Sequence, residues 1–556
     1  MRFFKHLPYS LTLLSIVSST VAGQLDDVSA QIPLASHDKT TDSDCHNVCL
    51  ALVASLGDAA FYNPSSSLPG FRQTFFTSLQ SELIPACIVT PTSAQHVAQA
   101  VSIINKHSCI FAVKSGGHSS VPGASNAPGG VTIDLSGIDD TDVSEDLGSV
   151  RIGTGNRWAG VYRKLELLNR TVAGGRNSDV GVGGFVLGGG ISFMARRYGW
   201  AADNVRNFEV VLANGSLTNI NQASSPDLFF ALRGGGNNFG IVTHFDMDIY
   251  PQGQIWGGQS FYFISPVEIA ARKASLNINS EPFSFGLWNI KNAVCVSIVE
   301  MACKFGYCID GKKFWQSVED TIASEQSDQY AQFLGTLTWS SEIDAWVFHT
   351  MLAYTKPVTD PPIFQNFTSL KSFKSSNAVR KLTGLYDEVR DMNERGRRHF
   401  WATATFKPSA ILMDKINDIF ISVVEPIRAV KGCRPTVILQ PLNIDEIQHS
   451  KKRGGNSLGI DVEDVPLIIF SIVFIWDDPN DDEAMKGAAN RLLHRSIQLG
   501  KEMGLYHRYI YQNYADGDQD VFAGYGEENR ERLRGIQKRF DPEGVFWRLQ
   551  PGYFKV

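Results

Sequence analysis

Gly174-Gly175-Arg176-Asn177-Ser178-Asp179-Val180-Gly181-Val182-Gly183-Gly184-Phe185-Val186-Leu187-Gly188-Gly189-Gly190 is the stretch whose reading decides the fold. Upstream, Val113-Lys114-Ser115-Gly116-Gly117-His118-Ser119 is a second glycine-rich segment. Glycine weakens both helix and strand, so the composition predicts loops. Without Cβ atoms, such loops can bring backbone N–H groups close to an anion. A flexible linker would lie among polar, low-complexity sequence. Here Val180, Val182, Phe185, Val186 and Leu187 interleave with the glycines, which predicts a buried loop.

Composition bounds the rest. A chain of 556 residues is too long for one core, which predicts two domains. Its 43% hydrophobic and 19% charged residues are those of a soluble globular protein. The net charge of −6 and the lack of a long basic run argue against nucleic acid as a partner. Arg2, Lys5 and His6 precede an apolar run from Leu7 to Val21 and then Ala22-Gly23, the pattern of a secretory signal peptide over residues 1–23. The run is shorter than the roughly 20 residues of a membrane span, so no stable span is expected. A secreted or secretory-lumen protein makes the 8 cysteines candidates for disulfides, with connectivity left open. Pairing of Cys45 and Cys49 with Cys87 and Cys109 would staple an N-terminal helix to the first domain. The rival for Cys45/Cys49 and Cys303/Cys308 is a metal, but no histidine set accompanies them, and no metal site is expected. Asn169, Asn214 and Asn366 head glycosylation sequons.

Along the chain, residues 24–44 read as polar and disordered. Thr92 and Gln95 are spaced as a capping box for a helix with Val97, Val101 and Ile104 inside. Phe111–Ser115 reads as a strand delivering the first glycine turn, and Val131 to Leu135 and Val150 to Gly153 as further strands. Asn214-Gly215 between apolar runs predicts a hairpin, and Ile241 to Ile249 alternates as a strand. The glycine stretch does not read as a dinucleotide-binding βαβ unit, because no helix is expected to open from it and no acidic ribose partner stands in place. From residue 253 to 508, aromatic-rich strands alternate with amphipathic helices. Leu467 to Trp476 reads as a central, doubly covered strand, and Glu483 to Leu505 as the clearest helix. If residues 507–513 form one strand, His507, Tyr509, Tyr511 and Asn513 share a face.

Ser115-Gly116-Gly117-His118-Ser119, the Val180-Gly181-Val182-Gly183-Gly184 loop and Tyr198-Gly199-Trp200-Ala201-Ala202-Asp203-Asn204-Val205 together resemble the FAD-linked oxidoreductases with the vanillyl-alcohol-oxidase (PCMH-type) flavin domain, and among them the fungal members of the berberine-bridge-enzyme-like branch. Tyr511-Gln512-Asn513-Tyr514 and Asp541-Pro542-Glu543-Gly544-Val545-Phe546 extend the resemblance to the tail. It implies an α+β fold of two domains: a PCMH-type FAD-binding domain over residues 24–252, an antiparallel-sheet substrate domain with helices over 253–508, and a C-terminal segment, 509–556, returning to the flavin domain. It further implies FAD bonded covalently through His118. Many relatives add a cysteinyl link, but Asn177 holds that position, so no second bond is expected. Backbone N–H groups of residues 114–119 (Lys114, Ser115, Gly116, Gly117, His118, Ser119) and 181–184 (Gly181, Gly183 and Gly184 among them) are expected to cradle the pyrophosphate. Lys114 stands where many relatives carry arginine. Ala202, Asn204, Val242 and Asn513 match cofactor-contacting positions.

The implied reaction is hydride transfer from a small-molecule substrate to the flavin, while a base removes a proton from the adjacent O–H or N–H. Tyr511 and Tyr509 are the candidate catalytic residues, against the alternative that both only pack the interface. Val180 matches the family's oxygen gatekeeper, and a valine resembles the oxygen-reactive members, which favours O2 as acceptor. The expected activity is an FAD-dependent oxidase of a secondary metabolite. A carbohydrate or alcohol oxidase and a non-redox cyclase on the same fold are the alternatives.

Overall fold

The computed structural model describes residues 42–62, 68–278, 299–325 and 328–556. The signal-like segment and most of the polar stretch 24–44 lie outside these. Residues Thr41–Val556 form one compact unit containing three sheets.

The first sheet has the order Ala60–Tyr62, Cys87–Val89, Val131–Asp134, Phe111–Lys114, and its last three strands are parallel. The helix Ala94–His107 crosses over between two of them, burying Val97, Val101 and Ile104. Its N-cap is Ser93, whose side chain accepts from the His96 N–H, so the expected Thr92–Gln95 capping box is one residue out of register. Thr92 instead contacts the His96 ring. The helix Asp42–Leu56 is fastened to this layer by two disulfides, Cys45–Cys109 and Cys49–Cys87, which join the first pair of cysteines to the second. Cys303–Cys308 is a third bridge, and Cys433 is free and buried.

The second sheet centres on Ile241–Pro251, flanked by Ser149–Gly153 and Val205–Val211. Val205–Val211 turns at Asn214-Gly215 into Leu217–Ile220 as a hairpin. The third sheet is ten-stranded and antiparallel except where Cys308–Ile309 joins Ile255–Ile264. Leu467–Trp476 lies between Thr436–Leu442 and Arg398–Phe406, with all ten residues buried. The longest helix of this layer, Asp482–Glu502, packs Met485, Ala488 and Leu492 into the core under that sheet.

Two local expectations fail. Val182–Leu187 is a six-residue helix with Gly181 at its N-cap. Its outer walls supply the packing that glycine cannot, because Val182 and Val186 are fully buried. Residues 507–513 are not one strand. Only Tyr506–His507 pairs, with Arg398–Phe406, and Gln512–Tyr514 is a 3-10 turn, so the alternation argument for Tyr509 and Asn513 does not apply.

Candidate functional site

The two glycine stretches touch backbone to backbone. A Cβ on Gly116 would sit 2.5 Å from the Gly181 Cα, and one on Gly181 would sit 2.2 Å from the Gly116 nitrogen. Real Cβ atoms do not approach that closely, so this crossing needs glycine on both sides. Ser115 welds it: its hydroxyl donates to the Thr154 carbonyl at 2.6 Å and accepts from the Gly183 N–H at 3.1 Å. Val182 N–H donates to the Asn156 carbonyl. Gly183 and Val182 therefore spend their N–H groups inside the protein.

A cavity of about 330 Å³ opens beside this crossing. Ser115, Gly116, Gly117, His118, Ser119, Asn177, Val180, Gly181, Gly183, Gly184, Val242, Tyr511 and Asn513 all line it. Its far wall comes from the ten-stranded sheet and its helices, through Leu334, Met351, Val389, Asn393, Trp401 and Ile438. The tail closes it with Gln512, Tyr514, Gln550 and Tyr553.

Four residues singled out in the sequence stand elsewhere. Lys114 turns away into a buried pair with Asp134, Nζ to Oδ1 3.0 Å, above the Phe71 and Phe75 rings. Asn204 donates to the Trp200 carbonyl at 2.7 Å and accepts from the Tyr250 hydroxyl at 2.5 Å, so it pins the Tyr198–Trp200 turn. Ala202 offers its carbonyl to Arg233. Tyr509 is fully buried between Trp200 and Tyr525 and does not reach the cavity.

His118 keeps some surface as a residue, while its ring Nε2 is sealed without a hydrogen-bond partner. Burial, and then the Arg157 guanidinium nearby, push its pKa down to about 3, so the ring is neutral. Arg157 and Arg395 both clamp Asp179, each at 3.1 Å from Oδ1, which fixes the loop carrying Asn177 and Val180. The Asn177 carboxamide oxygen accepts from the Asp179 N–H at 2.9 Å. The Tyr511 hydroxyl accepts from Ile191 N–H and from Asn513 Nδ2, both at 3.1 Å. Burial pushes the Tyr511 phenol well up, so it keeps its proton and can donate it into the cavity.

Sequence reasoning gave no role to Arg176, Gln512, Gln550 or the sheet residues of the far wall. Arg176 stood in plain view as the one cation of its glycine stretch. Leu334, Met351, Ile438 and Trp401 belong to strands that any sheet could contain, and no motif marks them.

The cavity fits a flavin dinucleotide by its unmet polar groups as well as by its glycine wall. Asn237 Oδ1, Gln512 Nε2, Ser125 Oγ, Thr154 Oγ1 and both Gln550 side-chain atoms line or face it, buried and without partners. Buried polar atoms are normally satisfied, so a polar ligand is the expected source of their hydrogen bonds.

Comparison with known proteins agrees. Residues 85–221 match the FAD binding domain family, and residues 510–551 match the family described as berberine and berberine like. The chain is 34% identical over 534 residues to the FAD-dependent monooxygenase tpcD of Cochliobolus heterostrophus, covering 92% of this chain and 94% of the relative. It is equally 34% identical to the FAD-dependent monooxygenase FUP4 of Fusarium proliferatum, covering 92% and 95%. Among solved structures, the berberine-bridge-enzyme-like protein 1 of Physcomitrella patens superposes with a TM-score of 0.69 at 17% identity, over 91% of this chain and 99% of that one. With the crossed glycine loops, the histidine turn and the returning tail in one cavity, the chain belongs to the FAD-dependent oxidoreductases of the vanillyl-alcohol-oxidase superfamily, in their berberine-bridge-enzyme-like branch.

Proposed function

We propose that the chain is an oxidase of a small secondary metabolite, with FAD bonded through His118 alone and O2 as the electron acceptor. The observation that carries this reading is the meeting of His118, Asn177 and Val180 on one cavity wall. A neutral, partnerless imidazole nitrogen suits a covalent tether, and Asn177 has no thiol for a second one. Gly116, Gly181 and Gly184 would leave room for the cofactor's chain, and Gln512, Gln550 and Asn237 would bond its polar edge. FAD supplies a hydride acceptor when bound.

The protein's own part is to bind and orient. Tyr511 holds its O–H toward the cavity and would position the substrate's reacting O–H or N–H, while Tyr509 supports it from behind through Trp200. Leu334, Met351, Ile438 and Trp401 would exclude water from the reacting face. Val180 would leave oxygen access beside the ring. The relatives are FAD-dependent monooxygenases, which favours a second reading, insertion of one oxygen atom into the substrate.

Three disulfides suit maturation in an oxidising, secretory compartment. Asn169 and Asn214 are exposed and open to glycosylation. Asn366 is half-buried, with Nδ2 donating to the Thr321 hydroxyl at 3.3 Å, and is the poorest acceptor of the three. Acid precipitation tests the tether: the yellow colour should stay with the protein, and its complete release to the supernatant would refute covalent attachment. Stoichiometric peroxide during turnover supports the oxidase, whereas label from isotopic O2 in the product supports oxygen insertion.

A further inference from the structure

Arg176 is a buried cation without a counter-charge among the described residues. It is 8% exposed and lines the cavity. Its Nη2 donates to Gln440 Oε1 and to the Tyr514 hydroxyl, both at 2.5 Å, and these are neutral oxygens. No carboxylate pairs with Arg176 among the described residues. The contrast with the other deeply buried basic groups is direct: Lys114 has Asp134, Arg233 has Asp203 and Arg196 has Asp445. Buried guanidinium groups are ordinarily paired, because desolvating a lone charge is strongly unfavourable. Among the described residues Nη1 and Nε have no protein hydrogen bond, so one edge of the planar fork remains to be met, and such a fork matches a carboxylate bidentately.

The surroundings define the rest of the ligand. Trp401 stacks on Tyr514 at 5.2 Å, and Tyr514 meets Tyr511 edge-on at 4.8 Å. Leu334, Met351 and Ile438 add an apolar ceiling from the sheet. Gln440, the other anchor of Arg176, projects from the same strand as Ile438. The cation thus stands where the second glycine stretch meets the ten-stranded sheet.

We infer that Arg176 is the substrate-recognising residue of this site, and that the substrate is a flat, largely apolar molecule carrying one acidic oxygen, as a carboxylate or an acidic phenol or enol, held against Arg176 and Tyr514. This rests on the reading of the cavity as the FAD and substrate site. An anionic oxygen could also come from the reduced flavin, and the two sources are separable.

The test titrates the purified holoprotein with benzoate and, in parallel, with benzamide, following the visible flavin spectrum and the thermal midpoint. Benzoate should perturb the spectrum and raise the midpoint, while benzamide, its neutral isostere, should bind at least ten-fold more weakly. In Arg176→Gln the benzoate affinity should fall at least ten-fold, and Arg176→Lys should recover part of it. Equal binding of benzoate and benzamide by the unaltered protein overturns the inference, and needs no variant to fold. Unchanged benzoate affinity in Arg176→Gln with a lowered flavin reduction potential also overturns it and assigns the charge to the flavin. Failure of the FAD reading itself would be recognised separately, as a colourless purified protein.

Discussion

The His118 imidazole lies flat on the Phe76 ring, centroids 3.9 Å apart and planes 13° from parallel. His399 covers the other face of Phe76 at 4.2 Å. Phe76 is also tied by its backbone on both sides, donating to the Gly117 carbonyl and accepting from Gly396 N–H. One aromatic ring therefore fixes the orientation of His118 and links its turn to the strand Arg398–Phe406. Phe76→Leu removes the stacking, a loss of about 1 kcal/mol per aromatic contact. The variant should fold but retain clearly less flavin on acid-precipitated protein than wild type, and Phe76→Tyr should keep it. An unchanged covalent fraction in Phe76→Leu would mean that stacking does not orient the ring.

The glycine crossing separates structural from cofactor roles. Gly181→Ala forces a Cβ into the Gly116 backbone and should lower both the unfolding midpoint and the flavin content. A Cβ on Gly184, by contrast, meets nothing within 4 Å, although the residue lines the cavity. Gly184→Ala should keep the apoprotein's stability within about 0.5 kcal/mol while lowering the flavin-to-protein absorbance ratio. Full flavin occupancy in Gly184→Ala would show that the cofactor does not pack there.

Much of this division is legible in the sequence. The glycine stretches fold as they do because apolar residues between them bury the loops, and that pattern is local. What escaped was set by distant partners. Nothing near Lys114 announces Asp134, and nothing near Arg176 announces Gln440 and Tyr514. Tyr509 and Tyr511 look equivalent in sequence, yet the chain leaves its strand after His507, and only Tyr511 turns toward the cavity. The Val182–Leu187 helix forms against glycine's intrinsic preference because buried walls around Val182 and Val186 override propensity.

Acid sensitivity follows from the buried histidines. Burial holds His349 at about 3, with Nδ1 against Thr336 Oγ1 at 3.1 Å, and holds His399 at about 4. Both values are depressed below the unfolded value of roughly 6.5, so the unfolded chain binds more protons between the two. Their contribution is fully present above about pH 6.5 and is lost as pH falls toward 3 to 4. The urea midpoint should decline over that window. His349→Phe should flatten the slope by up to about 1.4 kcal/mol per pH unit below pH 6. An unaltered slope would place the acid-sensitive groups elsewhere.

Asn177→Cys tests the depth of the family likeness. Asn177 and Val180 share the cavity wall with His118, and the Arg157–Asp179–Arg395 clamp holds that loop still. If FAD is tethered through His118 as proposed, part of the variant should gain a second flavin bond, seen as an altered flavin spectrum with loss of one titratable thiol. A free thiol with an unchanged spectrum would show that the loop does not approach the ring.

The wall made by the tail has a consequence for biosynthesis. Gln512 Nε2 lies 2.4 Å from where a Gly236 Cβ would stand, Asn513 donates to the Phe185 carbonyl, and Leu549 accepts from Phe111 N–H. The tail, residues 509–556, leaves the ribosome after everything else that surrounds the cavity. A nascent chain therefore carries every strand of the ten-stranded sheet and both glycine stretches while the residues for one side of the chamber are still missing. A chain stopped before residue 510 would emerge with a groove in place of a chamber, and would be expected to hold the cofactor poorly.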